Sequence, residues 1–480
     1  MNSIQLVSSS IPNKTELSNI FKEKSVEILL VKEKKSSPFL SGEKASLTYT
    51  TEGFEGVEKP RNLKSHFDSN LSLSKMKESD DSHKNLHNKY MRQNKSRKIL
   101  YAFERLILDT DPQYSHLTEL ERHYKAMNSH STIKCLRVKT RNSDNVGIRV
   151  DHKHKKAHYT GVMVCGSPWA CPLCASKIQN RRAIEIQEAF KWAYRDKQFQ
   201  MMMVTLTFPH GIADDLGEMM EKLKIAMVYF RKGANYDKFK KSIGYQGMIK
   251  AQEITWGQIN GWHPHTHELQ IINYDIDQKE EKRISKFILN QWEMACKKAG
   301  LLKHGSIADF RKKAVHIIFH AKDSDYLAKL NNEDRAWGAD KEMASASTKK
   351  GRMTGLSPFQ ILDQSDENEE FQNLYLEYAL KMKGKRQLVW SKGLKEKVGI
   401  KDKTDEELAL EESSESDLLA LFTNEQWYIV LKNKDRAYVQ WLAVNYGFEG
   451  LAQYFEKHGS ILNAPVFHKE SSLENRNDDG

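Results

Sequence analysis

The chain has 480 residues, 39% of them hydrophobic, with a mean hydropathy of −0.68. Its formal net charge is +11: residues 101–400 carry +13, whereas residues 401–480 carry −8. No run approaches the ~18 consecutive apolar residues of a membrane-spanning helix, and the N-terminus lacks a basic segment followed by an apolar core. We therefore expect a cytoplasmic protein without a membrane partner, and the basic central block favours a polyanion partner.

Composition divides the chain into five predicted segments. Residues 1–95 are rich in Ser, Lys, Asn and Glu without a sustained apolar period, so we expect a mostly disordered arm. Residues 96–195 combine helical patterns with cysteines, and residues 196–362 alternate strands and helices. Residues 363–465 are predicted to be helical, and residues 466–480 to form a disordered tail.

Strands and helices follow in order from Arg97. The segments RKILYAFERLIL, TELERHYKAMN and SKIQNRRAIEIQEAFKWAYR are predicted helices, and MMMVTLTF is a predicted buried strand. Two strands joined by a turn near Asn260 occupy QGMIKAQEITWGQINGWHPHTHELQII, and KAVHIIFH is a further strand. Since one pair is a direct hairpin, the pattern favours an α+β fold with a mixed or antiparallel sheet.

The cysteine spacing predicts a structural zinc site. Cys171-Pro-Leu-Cys174 places two thiolates on one cation, and a tetrahedral site needs two more ligands. Cys165 and Cys135 complete the set, with His158 as the substitute should Cys135 point away.

Three histidines lie within five residues on the second strand of the predicted hairpin. Residues two apart on a strand share a face, so His265 and His267 can hold one cation between their imidazoles. His263 lies on the same face. The spacing predicts a metal site.

Glu253 is the candidate third ligand from the neighbouring strand. If the loop covers residues 259–261, Glu253 lies opposite His267 and supplies a carboxylate. A two-residue loop at 260–261 turns Glu253 to the other face. Imidazole with carboxylate oxygen suits Mn²⁺ or Mg²⁺.

A tyrosine and a lysine share a face of the next predicted helix. Tyr326 and Lys329 are three residues apart, and Asp323 and Lys322 lie one turn earlier. A phenol has an ordinary pKa of about 10, so a nearby ammonium that stabilises the phenolate would make it a better nucleophile. A metal bound to a phosphate would offset the charge that develops during attack.

Three motifs in this order make the sequence resemble the HUH endonucleases. They are VTLTFPH at 204–210, WHPHTH at 262–267 and YLAK at 326–329. In particular, the chain resembles plasmid rolling-circle replication initiators of the single-tyrosine type, over about residues 130–450. AHYTGVMVCGSPWACPLCASKIQNRRAIEI looks like the cysteine-rich region that precedes the nuclease motifs in these proteins.

The resemblance implies a fold and site residues. The expected fold is a central antiparallel sheet flanked by helices, with metal-binding His265 and His267 on a central strand and His263 before them. The nucleophile falls on Tyr326. Related initiators have an acidic residue four positions before the tyrosine, where this chain has Lys322, so Asp323 is the substitute. The threonines of the first motif, Thr205 and Thr207, are interpreted as structural.

The resemblance also implies a reaction on DNA. The tyrosine would nick single-stranded or hairpin DNA at a plasmid origin, form a 5′-phosphotyrosyl link and release a 3′-hydroxyl for a host polymerase, with a host helicase as a further partner. One alternative is a transposase or relaxase, for which YALKMK at 378–383 offers a second tyrosine on weak grounds. Another is a non-catalytic, zinc-containing DNA-binding regulator.

Overall fold

The computed structural model describes residues 81–321, 355–366, 368–411 and 416–464. In these ranges the chain is an α+β protein with an antiparallel sheet flanked by helices. None of the helices described there combines the length and the apolar character that crossing a bilayer requires.

The helices account for most of the described residues. In chain order they are α1 (Asp81–Thr110), α2 (Glu119–Ser129), α3 (Ser131–Lys134), α4 (Pro172–Lys191), α5 (Leu216–Phe230), α6 (Ala234–Ser242), α7 (Gln278–Lys298), α8 (Ile307–Lys313), α9 (Pro358–Asp363), α10 (Glu369–Lys381), α11 (Leu394–Val398), α12 (Asp405–Leu410), α13 (Asn424–Lys432) and α14 (Arg436–Lys457). A π-helical turn, Trp192–Asp196, extends α4. The first helix thus begins upstream of Arg97, where the sequence pattern predicts its start.

Eight strands form two antiparallel sheets in the described ranges. They are β1 (Val146–Asp151), β2 (Lys156–Thr160), β3 (Gln200–Leu206), β4 (Tyr245–Gly257), β5 (Gly261–Ile272), β6 (Val315–Ile318), β7 (Leu388–Trp390) and β8 (Asp417–Phe422). The larger sheet has the order β6-β3-β5-β4-β7, and the smaller sheet has the order β2-β1-β8. The histidine-bearing strand β5 is therefore the central strand of the larger sheet.

The β4–β5 hairpin closes through a three-residue loop, 258–260, because Gly257 pairs with Gly261. Gly261 has a φ of 70°. A Cβ at this position would lie 2.9 Å from the Cα of Ile212. Only glycine combines the left-handed backbone with this close approach, so Gly261 fixes where β5 begins.

Both faces of β5 are buried. On one face, Leu269 and Ile271 pack under α4, where Phe190 belongs to the same apolar cluster. On the other face, Glu268 forms an ion pair with Arg231 at the end of α5. Because a buried charge is tolerated only when it is paired, this contact explains how a carboxylate is accommodated in the central strand.

The smaller sheet joins distant parts of the sequence. Strand β1 pairs with β2 on one side and with β8 on the other, where Val146 lies opposite Phe422. Residues 363–465, predicted to be helical, thus contribute β7 to the larger sheet and β8 to the smaller one. The predicted division into five segments stays a prediction.

We expect Leu269→Ala to destabilise the protein strongly. Leu269 is 0% exposed between neighbouring strands, and truncation of a buried leucine costs about 2–5 kcal/mol. The free energy of unfolding, measured by denaturant titration, should fall by that amount. Val228→Ala on α5 is the control, because Val228 is 61% exposed and its change should stay within about 0.5 kcal/mol. Equal effects of the two substitutions would contradict this account of the core.

Candidate active site and cysteine cluster

Three side chains from β4 and β5 meet at one point. The Nε2 atoms of His265 and His267 lie 3.4 and 3.2 Å from the same oxygen, Oε2 of Glu253. Their possible ligand atoms all lie within 4.8 Å of one another, so the three residues can hold a metal ion. Ligands about 2.1 Å from an octahedral Mg²⁺ and at right angles to each other are about 3 Å apart. The observed separations fit such an ion.

The register differs from the one predicted for Glu253. Glu253 lies opposite His265, and Ala251 lies opposite His267, because the loop covers 258–260 instead of 259–261. The predicted register was therefore wrong by two residues. Since side chains alternate with a period of two, this shift leaves Glu253 on the predicted face.

Contacts at Nδ1, the ring nitrogen that points away from Glu253, orient both imidazoles. The Nδ1 of His265 lies 3.3 Å from the carbonyl oxygen of His263, which can only accept, so this nitrogen is the donor. On the neighbouring strand, Thr205 lies opposite His267, and its hydroxyl oxygen is 3.0 Å from the His267 Nδ1. With its proton on Nδ1, His265 carries its lone pair on Nε2, the form in which an imidazole binds a metal. The Thr205 hydroxyl can donate to or accept from His267 Nδ1.

The sequence interpretation assigned Thr205 only a structural role and missed its contact with His267. The signal for it lies in the pairing of β3 with β5, which no local pattern reveals. Thr207, two residues later, accepts a hydrogen bond through its carbonyl oxygen from the Trp292 indole at 2.7 Å.

His263 makes a different contact from the one predicted. Its Nδ1 lies 2.5 Å from Nε2 of His210, and Nδ1 of His210 lies 2.8 Å from the carbonyl oxygen of Asn260. Because the carbonyl only accepts, His210 donates through Nδ1 and accepts through Nε2 from His263. Burial, together with the nearby His265 and His210, lowers the pKa of His263 to about 3, so its ring is neutral at pH 7. His263 is not part of the three-residue group, and a role for it at the metal stays a prediction.

A cleft of about 1100 Å³ opens beside His263. The ends of β3, β4 and β5 and the helix α8 form its walls, which carry both polar and apolar side chains. Among the lining residues are His210, Trp256, His304, Lys313 and Phe371. Its size and mixed lining suit a segment of a polymer with charged and aromatic parts.

The predicted catalytic residues Tyr326, Lys329 and Asp323 lie outside the described residues. The described residues before them are attached to the sheet: the amide of Ala321 donates to the carbonyl of Met201 at 3.1 Å. The hydroxyl of Tyr194 also donates to the carbonyl of Ala321 at 2.6 Å.

Tyr378, the weak candidate for a second catalytic tyrosine, is fully buried on α10. Burial raises the pKa of the Tyr378 phenol well above its usual value. A phenol buried in this way cannot reach a phosphate, which disfavours Tyr378 as a second nucleophile, and the transposase or relaxase alternative itself stays a prediction.

The four cysteines named from spacing form one buried cluster. Cys135 lies 3.5 Å from Cys174 and 3.7 Å from Cys171, and Cys165 lies 3.6 Å from Cys174, measured between sulfurs. Four sulfurs about 2.3 Å from a tetrahedral Zn²⁺ are about 3.8 Å apart. The cluster can therefore hold a metal ion, and Cys135 leaves no position for the substitute His158, which lies on β2 opposite Arg149.

The electrostatics of the cluster favour a thiolate. Hydrogen bonds from the thiols of Cys135, Cys165 and Cys171 hold the pKa of the Cys174 thiol well below its usual value. Metal ions bind cysteine in this deprotonated form.

Comparison with known proteins identifies the family to which this chain belongs. A family model described as "Replication protein" matches residues 156–439, which is more than half of the chain. The chain belongs to this family. The match includes β3, the histidine-bearing hairpin and three of the four clustered cysteines.

Two curated relatives match shorter stretches. "Protein rep" from Streptomyces lividans is 33% identical over 160 residues, covering 28% of this chain and 34% of that protein. "Neomycin resistance protein" from Streptomyces cyanogenus is 30% identical over 178 residues, covering 29% and 39%. The chain thus spans between a third and two fifths of the length of these relatives. No solved structure matches the chain.

We expect Thr205→Val to weaken metal binding without unfolding the protein. Valine keeps the shape of threonine but removes the hydroxyl that is hydrogen-bonded to His267 Nδ1, and loss of such an outer contact lowers metal affinity by about 10–100-fold. Titration with Mn²⁺, followed by calorimetry, measures the effect.

Thr207→Val is the matched control for Thr205→Val. The Thr207 hydroxyl is buried and has no hydrogen-bond partner among the described residues, so this substitution should leave Mn²⁺ affinity unchanged. Identical affinities of the two variants would show that the Thr205 contact does not orient His267.

Proposed function

We propose that this protein initiates rolling-circle replication of a plasmid by nicking one DNA strand at the origin. The observation that carries the proposal is the convergence of His265, His267 and Glu253 on one point of a central strand in a member of the replication protein family. Two imidazoles and a carboxylate form a donor set suited to Mn²⁺ or Mg²⁺. A divalent cation bound there would polarise the scissile phosphate and offset its developing charge.

Tyr326 is the proposed nucleophile, and its position in the chain supports this role. Ala321 is bonded to Met201, which lies four residues before Thr205 on β3, or about 13 Å along the strand. The five residues from Ala321 to Tyr326 can span up to about 17 Å. A chain segment of this length could therefore bring the phenol to the candidate metal site beside Thr205.

The chemistry proposed for Tyr326 is transesterification. Its oxygen attacks the phosphorus, a 5′-phosphotyrosyl bond forms, and the broken phosphodiester leaves a 3′-hydroxyl. The number of phosphodiester bonds is conserved, so the step needs no nucleotide hydrolysis. Lys329 is proposed to stabilise the phenolate, and Asp323 to activate water when the link is resolved. The 3′-hydroxyl would prime a host polymerase, with a host helicase separating the strands.

The cleft beside His263 is the proposed path of the DNA strand. Its lining residue His263 has its ring centre 4.8 Å from that of His265. Lys313 and His304 line the cleft together with Trp256 and Phe371. Cationic side chains bind phosphates and aromatic rings stack on bases, which is how single strands are held without a duplex.

The four-cysteine cluster is proposed to hold a structural zinc ion. Its sulfur separations fit a tetrahedral site, and all four cysteines are buried. Cys171 immediately precedes α4, and Cys174 lies in its first turn, so the ion would fix the beginning of this helix.

Tyr326→Phe should abolish nicking because phenylalanine lacks the attacking oxygen. Single-stranded oligonucleotides that cover the origin are incubated with the protein and Mn²⁺. A 3′-end label should become covalently attached to the wild-type protein, whereas a 5′-end label should appear on a shorter free strand. The Phe variant should give neither product while still binding DNA.

Tyr378→Phe is the control for loss of a phenol elsewhere. Its hydroxyl is buried without a hydrogen-bond partner among the described residues, so the covalent adduct should form as in the wild type. An adduct in Tyr326→Phe would remove Tyr326 as the nucleophile. Zinc content with no adduct under any divalent metal would favour the non-catalytic regulator.

Purified protein should contain one zinc ion per chain, and Cys174→Ala should lose it. Removing one of four sulfurs weakens a tetrahedral site, and structural zinc contributes directly to folding, so the thermal unfolding midpoint should fall as well. Elemental analysis and thermal unfolding measure both effects. Cys296→Ala is the control, because Cys296 is buried on α7 outside the cluster. Full zinc content in Cys174→Ala would refute the assignment.

A further inference from the structure

Three arginines from distant parts of the chain meet beside the cysteine cluster. Arg97 lies on α1, Arg137 follows α3, and Arg436 begins α14. The side-chain oxygen of Asn94 accepts from Nη1 of Arg137 at 3.3 Å and from Nη2 of Arg436 at 3.1 Å. One amide thus holds two guanidiniums side by side. We call Arg97, Arg137 and Arg436 the arginine group.

The arginine group lacks a compensating carboxylate in the part of the chain that the structure describes. Neutral oxygens are its hydrogen-bond acceptors there, such as Oε1 of Gln93 at 2.8 Å and the carbonyl of Leu136 at 3.0 Å, both bonded to Arg436. The Nε of Arg97 is buried without a partner among the described residues. The three positive charges are close enough to act on one another electrostatically.

Several other partly buried arginines of this protein are paired with carboxylates, although Arg149 is bonded to the hydroxyl and carbonyl oxygens of Ser416. Arg105, on the same helix as Arg97, contacts both Asp109 and Glu119. Arg231 contacts the fully buried Glu268. Three neighbouring guanidiniums without such a partner carry more uncompensated charge than a single unpaired arginine, and a bound anion would compensate that charge.

The cysteine cluster accounts for one of the three charges. Arg436 is 1% exposed, and the Cys135 sulfur favours its protonated form. Four thiolates around one Zn²⁺ carry a net charge of −2, so a buried arginine beside them is compensated. Arg97 and Arg137 are only partly buried, and no cysteine acts on either of them electrostatically. The positive charge of Arg97 and Arg137 is therefore available to bind an anion from solvent.

We propose that the arginine group is an anion-binding site that holds a backbone phosphate of DNA, apart from the histidine site. Guanidinium groups match phosphate oxygens through paired hydrogen bonds. The chain belongs to the replication protein family, and residues 101–400 carry a charge of +13, so the abundant polyanion for this protein is DNA. In naming DNA, the inference rests on the proposed function. The site positions the nucleic acid and takes no part in cleavage.

Binding of a fluorescent origin duplex to the full-length, zinc-loaded protein tests the site. Affinity is measured by anisotropy over a series of NaCl concentrations. Arg97→Gln combined with Arg137→Gln should weaken binding at least about tenfold. The slope of log K against log salt should become shallower by about 0.9 for each lost phosphate contact. Arg105→Gln is the matched control, since Arg105 already has two carboxylate partners on and beside the same helix.

A second measurement separates phosphate binding from DNA binding and from folding. Inorganic phosphate should raise the thermal unfolding midpoint of the wild type and of Arg105→Gln, but raise that of the double variant less. If the double variant does not fold, Arg97→Gln is tested alone. This single substitution should be tolerated, because the Arg97 Nε has no hydrogen-bond partner among the described residues.

Nicking of a single-stranded oligonucleotide is also measured at saturating concentration. This assay distinguishes the failure of this inference from the failure of the proposed function. Nicking should be unchanged in the arginine variants. Equal duplex affinity and equal salt slope in Arg97→Gln, Arg137→Gln and Arg105→Gln would overturn the inference even if nicking is intact. A phosphate-dependent midpoint without a change in duplex affinity would assign the site to free phosphate and overturn the DNA assignment.

Discussion

The candidate active site depends on one carboxylate oxygen shared by two imidazoles. Glu253 is 4% exposed, and its Oε2 faces both His265 and His267. A carboxylate buried at this depth needs a compensating charge or hydrogen-bond donors beside it, and a bound cation would supply that charge. The hairpin register brings these three groups together, since a slip of one residue would turn every ligand of the slipped strand to the opposite face. The three-residue loop and Gly261 are therefore as important to the site as the ligands themselves.

Backbone carbonyls also determine which ring nitrogen carries the proton in two of the histidines. The carbonyl of His263 fixes the proton of His265 on Nδ1, and the carbonyl of Asn260 does the same for His210. A carbonyl cannot donate, so each of these contacts determines a tautomer without a charged side chain. The Nδ1 of His267 instead contacts the Thr205 hydroxyl, which orients the ring but, because a hydroxyl both donates and accepts, does not determine its tautomer. The orientation of the imidazoles thus follows from backbone carbonyls of β5 and its loop, together with the pairing of β3 with β5 that places Thr205 beside His267.

Local patterns predicted candidate ligand residues that lie close together in the fold, and long-range pairing determined what they contact. The spacing of two residues placed His265 and His267 on one face, and the same period kept Glu253 on that face despite a register error of two residues. The cysteine spacing named the four sulfurs that now lie together. By contrast, the contacts of Thr205 and His210 depend on which strand and which loop lie next to β5. The pairing of β1 with β8 joins segments more than 250 residues apart, and no periodicity within either segment specifies its partner.

Helix α4 connects the cysteine cluster to the histidine-bearing sheet. It begins beside Cys171, and its 20 residues extend about 30 Å. Near its end, Phe190 packs with Leu269 of the central strand. The following turn carries Tyr194, whose hydroxyl holds the carbonyl of Ala321, the last described residue before the segment that contains Tyr326. A close-packed helix transmits displacement because its neighbours cannot expand into empty space. Helix α4 and the turn after it thus form a continuous packed connection between the cysteine cluster and Ala321, although the sulfurs form no contact with the histidine site among the described residues.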